Sequence, residues 1–162
     1  MVAKDSGNPN LQGYLANTEA RISGVLKELG DLPQALIHAK LAISLRERLV
    51  TQFPKNTIWL QQLTSAYSAT AGILQSQELL DDALELAHKA LTIRGQLVQR
   101  DQVNAAWQEA LARGYERVAS IYLLQNSLEE AYLNFERAST ILNHLLKIDP
   151  NNATWLDKIS DI

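Results

Sequence analysis

The chain of 162 residues has no cysteine. Disulfides, thiolate metal sites and a cysteine nucleophile are therefore excluded, and the absence fits a reducing compartment. No apolar run approaches the roughly 20 residues of a membrane span, and the first residues lack the apolar core of a signal peptide. Nowhere does strand alternation stand between hairpin turns. Glycine-rich phosphate loops are missing too. The three histidines, His38, His88 and His144, form no His-x-x-x-His pair, so a metal site is not expected. Charge of either sign is sparse: 15 basic residues against 18 acidic ones give a net charge of −3 and a pI near 5.6. That balance argues against a nucleic-acid or anionic-membrane binder driven by electrostatics. The expectation is a soluble, cytoplasmic chain without cofactor. The first seven residues, Met1 to Gly7, are small and polar and read as a flexible tail.

What is present is a pattern printed more than once. Asn56, Asn104 and Asn152 recur at a spacing of 48 residues, and so do Trp59, Trp107 and Trp155, which are all the tryptophans of the chain. Ala83 matches Ala131, Ala90 matches Ala138, Tyr67 matches Tyr115, Ala71 matches Ala119, and Ile93 matches Ile141. One step back come Asn8, Leu11, Ala35, Ala42 and Leu45. A fixed period of about 20–50 residues marks a repeat array. The repeats run over about 8–55, 56–103 and 104–151, with a further segment at 152–162.

Each repeat divides into two helices. Asn8-Pro9 opens the first, because asparagine caps the free backbone N–H groups and proline suits the first turn. Leu11, Tyr14, Leu15, Ile22, Val25, Leu26 and Leu29 follow at helical steps, which predicts an apolar stripe facing the core. Gly13 and Gly24 weaken this helix, and Gly30 ends it. Asp31-Leu32-Pro33 starts the second helix, with Ala35, Leu36, Ala39, Ala42, Ile43, Leu49 and Val50 inward, and it stops before Phe53-Pro54. Asn56 caps the third helix, whose buried face is Trp59, Leu60, Leu63, Tyr67, Thr70, Ala71 and Leu74. A turn near Gln77 and Glu78 leads to the fourth. Asn104 caps the fifth, Asn126-Ser127 turns into the sixth, and Asn152 caps a seventh carrying Trp155, Leu156, Ile159 and Ile162. Asp81-Asp82 and Glu129-Glu130 look like paired carboxylates, but charges at helix starts explain them. The tryptophans, at one phase among apolar neighbours, are expected in the core.

The small residues identify the kind of repeat. Gly30-Asp31-Leu32-Pro33-Gln34-Ala35-Leu36, then Ala39 and Ala42, resembles the turn and second helix of a tetratricopeptide repeat. Leu80-Asp81-Asp82-Ala83-Leu84, with Ala87 and Ala90, and Asn126-Ser127-Leu128-Glu129-Glu130-Ala131-Tyr132, with Phe135 and Ala138, do the same. Ser23, Ala71 and Ala119, each followed three residues on by Leu26, Leu74 or Tyr122, fit the first helix. The departure is length: 48 residues against the usual 34 or so, as if both helices were lengthened by about two turns. Glu78 stands where the family favours glycine. Long repeats with an early tryptophan resemble those of large multidomain bacterial proteins. The resemblance covers residues 8–162. It implies an all-α solenoid, a right-handed superhelix of three antiparallel helix pairs with a terminal seventh helix.

The resemblance also implies a docking surface on the concave face, lined by the first helix of each pair. Its positions here are Asn17, Ala20, Gly24 and Lys27, then Ser65, Ser68, Gly72 and Gln75, then Arg113, Glu116, Ser120 and Leu123. Some members hold the C-terminal carboxylate of a partner with Lys and Asn in the first repeat. Here those positions are Ala20 and Gly24, so that clamp is not present. Arg113 and Arg117, with Arg21 in the corresponding phase, suit an acidic partner. The function expected is a protein-interaction module for a peptide, a helix or a neighbouring domain. The alternative is a spacer or self-association unit working through exposed end helices such as Trp155, Leu156 and Ile159. An enzyme is not expected, because helical repeats hold distant phases apart and no catalytic cluster is visible.

Overall fold

A computed structural model describes residues 8–160, so the expected tail at 1–7 and Ile162 lie outside the described residues. Among those residues there are seven α-helices and no strand: α1 (Pro9–Glu28), α2 (Leu32–Gln52), α3 (Thr57–Ser76), α4 (Leu80–Arg100), α5 (Ala105–Leu124), α6 (Leu128–Ile148) and α7 (Ala153–Ser160). First helices have 20 residues and second helices 21, so the members of each pair are nearly equal in length. The chain forms two compact units, Met1–Leu86 and Ala87–Ile162, and the boundary falls inside α4.

The helix ends follow the repeat. Asn8, Asn56, Asn104 and Asn152 each accept a backbone N–H with the side-chain oxygen, at 3.0–3.4 Å. A cap of this kind contributes about 1 kcal/mol to its helix. At the other end α1, α3 and α5 close identically. Asp31 N–H bonds Leu26 C=O, Leu79 N–H bonds Leu74 C=O, and Ser127 N–H bonds Tyr122 C=O, all at 2.9 Å. That closure requires a left-handed residue one position earlier. Gly30 (φ 83°), Glu78 (φ 60°) and Asn126 (φ 59°) supply it, again 48 residues apart. The second turn therefore keeps the geometry of the first even though Glu78 stands where the first has glycine.

In the first unit α1, α2 and α3 pack in sequence order, α2 between the other two in chain order and touching both. Ala35 and Ala39 of α2 meet Ile73 of α3, with Leu26, Leu32 and Leu36 around them. The recurring alanines Ala35, Ala42, Ala83, Ala90, Ala131 and Ala138 are no more than 1% exposed. Small side chains at such points let packed helices approach closely, toward the short end of the roughly 8–10 Å range. Gly13 is buried for the same reason: a Cβ there would lie 2.8 Å from Cη2 of Trp59. Ser23, also buried, donates to Ala35 C=O at 2.8 Å and ties α1 to α2.

One expectation is overturned in this unit. The stripe of α1 faces out. Leu11, Tyr14, Leu15, Ile22, Val25 and Leu29 are between 38% and 76% exposed, and only Leu26 is half-buried. The buried side of α1 is the small one: Gly13, Ala16 and Ser23. In α3 the phase of the stripe, that of Leu15, Ile22 and Val25, carries Leu63, Thr70 and Ile73, and these are buried. In α3 that face lies on α2; in α1 no described helix lies on it.

In the second unit α6 packs on α5 and α7 packs on α6. Trp155 of α7 is 7% exposed and sits among Ala112, Ala138, Leu142 and Leu145. Its indole N–H donates to Glu109 at 3.2 Å. Trp59 and Trp107 are half-buried. Within the same unit Gly114 of α5 is buried, its missing Cβ filled by Leu91 and Arg94 of α4.

Candidate functional site

In the first unit a small cavity of about 30 Å³ opens where α1, α2 and α3 converge. Its walls are short: Ala20 and Ser23 from α1, Ala39 and Ala42 from α2, and Ala66, Ala69 and Thr70 from α3. Both hydroxyls are committed. Ser23 donates to Ala35 C=O, and Thr70 donates to Ala66 C=O at 2.9 Å. The remaining lining residue is Arg46, from the middle of α2, and it is 7% exposed. Arg46 Nη2 donates to Asn17 Oδ1 at 2.9 Å, while its Nε is buried without an acceptor among the described residues. Burial lowers the pKa of this guanidinium. A cation held in such a place against a neutral amide gains little to offset its lost hydration. Of the positions expected on the docking surface, Ala20 lines this cavity and Asn17 holds its arginine.

The other positions expected in the first unit fall elsewhere. Arg21 lines a separate, shallow hollow of about 410 Å³ with Thr18, Ile22, Val25 and Leu26, on the exposed apolar side of α1. Lys27 lies exposed in the last turn of α1. On α3, Ser65 is exposed and donates back to Gln61 C=O at 3.1 Å, and Ser68 and Gln75 are half-buried. Gly72 is buried and presents nothing.

In the second unit the expected residues all lie on α5. Arg113 Nε stands 3.9 Å from Glu109, and Lys158 of α7 stands 4.0 Å from Glu109 and 3.9 Å from Glu116. Ser120 donates to Glu116 C=O at 2.9 Å. Arg94 of α4 has its pKa pushed down to about 10, first by burial and then by the positive charges of Arg113 and Arg117. Three arginines from two helices therefore share one neighbourhood.

Arg46 and Arg94 are the residues that the pattern of sequence features passed over. They stand 48 residues apart, each in the apolar stripe of a second helix. A charged residue repeated at a core phase was the signal available.

No protein-family model and no curated protein matches this chain. Solved structures do. The chain is similar to BtubC (BKLC) from P. vanneervenii, with a TM-score of 0.68 and 19% identity over 87% of this chain. It spans about half of that protein, 52% of its length. It is also similar to the N-terminal domain of stress-induced protein-1 (STI-1) from C. elegans, with a TM-score of 0.52 and 14% identity, over 93% of this chain and 95% of that one. At such identities the likeness is one of fold: consecutive helix pairs in a helical-repeat arrangement.

Proposed function

We propose that this chain is a protein-interaction module of the tetratricopeptide kind, which docks a peptide, a helix or a neighbouring domain along the side lined by its first helices. The observation that carries it is the cavity between α1, α2 and α3, where small side chains, among them the expected docking position Ala20, border a buried arginine that donates to a second such position, Asn17. Small walls leave a partner's backbone room to approach. Around α5 the residues that would meet the partner are Arg113, Glu116, Arg117 and Ser120; on α1 and α3 they are Asn17, Lys27, Ser65, Ser68 and Gln75. The likeness in fold to helical-repeat structures agrees with this role.

Selection from a random peptide library supplies a ligand, and titration measures it. Replacing Arg113, Glu116 and Arg117 together by alanine is expected to weaken the selected peptide at least tenfold, about 1.4 kcal/mol. Unchanged affinity removes the assignment.

A second function is favoured by the exposed stripe of α1. Leu11, Leu15, Thr18, Ile22, Val25 and Leu29 recur at alternating steps of four and three, the seam of a two-helix coiled coil. A second copy of this chain, meeting it through its own α1, would cover both stripes at once, as a two-fold interface does. Light scattering over a concentration series separates the two functions. Self-association that disappears in Leu15→Glu supports the second, and a monomer at every concentration removes it.

A further inference from the structure

Arg46 does not have the surroundings of a structural arginine. Such residues are usually tied down by carboxylates or by several carbonyls, because burying a cation is otherwise unfavourable. Here the guanidinium is 7% exposed, its hydrogen bond goes to the neutral amide of Asn17, and its Nε has no acceptor among the described residues. It also borders an opening. The cavity of about 30 Å³ beside it has room for roughly two water-sized groups, the bulk of a carboxylate head. The alanine methyls along the walls offer no polar group, and the two hydroxyls already donate to backbone carbonyls. Arg46 is the charged group lining the cavity, and its unaccepted Nε–H suits an anion, since N–H donors of a cation make strong, charge-assisted hydrogen bonds.

We infer that this cavity is a recognition pocket for a side-chain carboxylate, an Asp or Glu of a protein partner, with Arg46 as its anchor and Asn17 orienting the guanidinium. The inference rests on the proposed docking side and specifies what it reads. A slender methylene stem fits between the methyl walls. A chain terminus would bring its own backbone and neighbouring side chain into a space too narrow for them. On binding, the carboxylate accepts the Nε hydrogen and supplies the missing counter-charge.

The test follows the Arg46 Nε–H resonance by nitrogen-15 NMR in the full chain. The probes are sodium acetate, sodium chloride, sodium phosphate, N-acetylglutamic acid α-methylamide and N-acetylalanine, at matched pH and ionic strength. Acetate and the glutamate derivative are expected to shift the resonance saturably in the millimolar range, chloride not at all, and N-acetylalanine at least threefold more weakly. In Arg46→Met, whose thioether replaces the buried cation with similar bulk, the shifts that acetate induces in the amides of Ala20 and Ala66 should vanish while the helix content holds. A response to chloride equal to that to acetate overturns the pocket. Phosphate binding more tightly than acetate overturns the choice of carboxylate, and equal binding of N-acetylalanine overturns the choice of a side chain. The outcome is separable from the fate of the docking side. A library peptide lost in the Arg113, Glu116 and Arg117 variant but retained in Arg46→Met leaves the docking side standing and removes the pocket.

Discussion

At the scale of single residues, three positions 48 apart must adopt the same left-handed backbone, and only one of them is glycine. Gly30 does so freely, and Asn126 does so at modest cost because its short polar side chain tolerates that region. Glu78 at φ 60° pays the full steric penalty, of order 1 kcal/mol. Glu78→Gly is therefore expected to stabilise the chain by about 1 kcal/mol, read as a raised urea midpoint with an unchanged slope. The helical glycines of α1 divide in the same way. Around Gly24 nothing lies within 4 Å of an added Cβ, whereas at Gly13 that atom would press on the Trp59 ring. Gly24→Ala should raise stability by up to about 1 kcal/mol, and Gly13→Ala should lower it by about 1–3 kcal/mol, in the same urea titration. Equal effects at the two sites would contradict the placement of Trp59.

Between elements, the joint of α2 with α3 carries one polar bond in addition to its apolar contacts. Tyr67 is buried, and its hydroxyl donates to the Glu47 carboxylate at 2.6 Å. Burial first, and then that hydrogen bond and charge, push the tyrosine pKa well above its ordinary value of 10.0. The folded chain thus holds the phenolic proton more tightly than the unfolded chain. The stabilisation is complete below pH 10 and is lost as pH rises from there toward the folded-state value. Tyr67→Phe is expected to cost about 1–2 kcal/mol at pH 7 and to flatten the fall in stability above pH 10. Urea titrations at several pH values measure both. An unaltered alkaline limb in the variant would mean that another group governs it. The face of α1 shows what elements can hide from sequence. Its stripe has the period of a buried helix face, and the same phase is buried in α3, but burial depends on whether another helix is there to cover it.

For the molecule as a whole, repeat chains distribute stability among neighbours, so damage stays local. Trp155→Ala removes a buried indole from the contact of α7 with α5 and α6, at a cost of about 3–5 kcal/mol. Hydrogen exchange should show lost protection in α5 to α7 and unchanged protection in α1 to α3, which belong to the other compact unit. A uniform loss along the chain would contradict the division. The sequence by itself determined the period, the helix order, the asparagine caps and the turns, because each is set by residues within one or two helical turns of each other. It also placed the recurring alanines in the core, since a small residue repeated at one phase marks close helix approach. Only the tertiary structure decided that the stripe of α1 faces solvent, that Gly13 makes room for Trp59, and that Arg46 is sunk between three helices. Those facts depend on groups brought together from helices distant in the chain, and burial is a property of what surrounds a side chain, which its own segment does not encode.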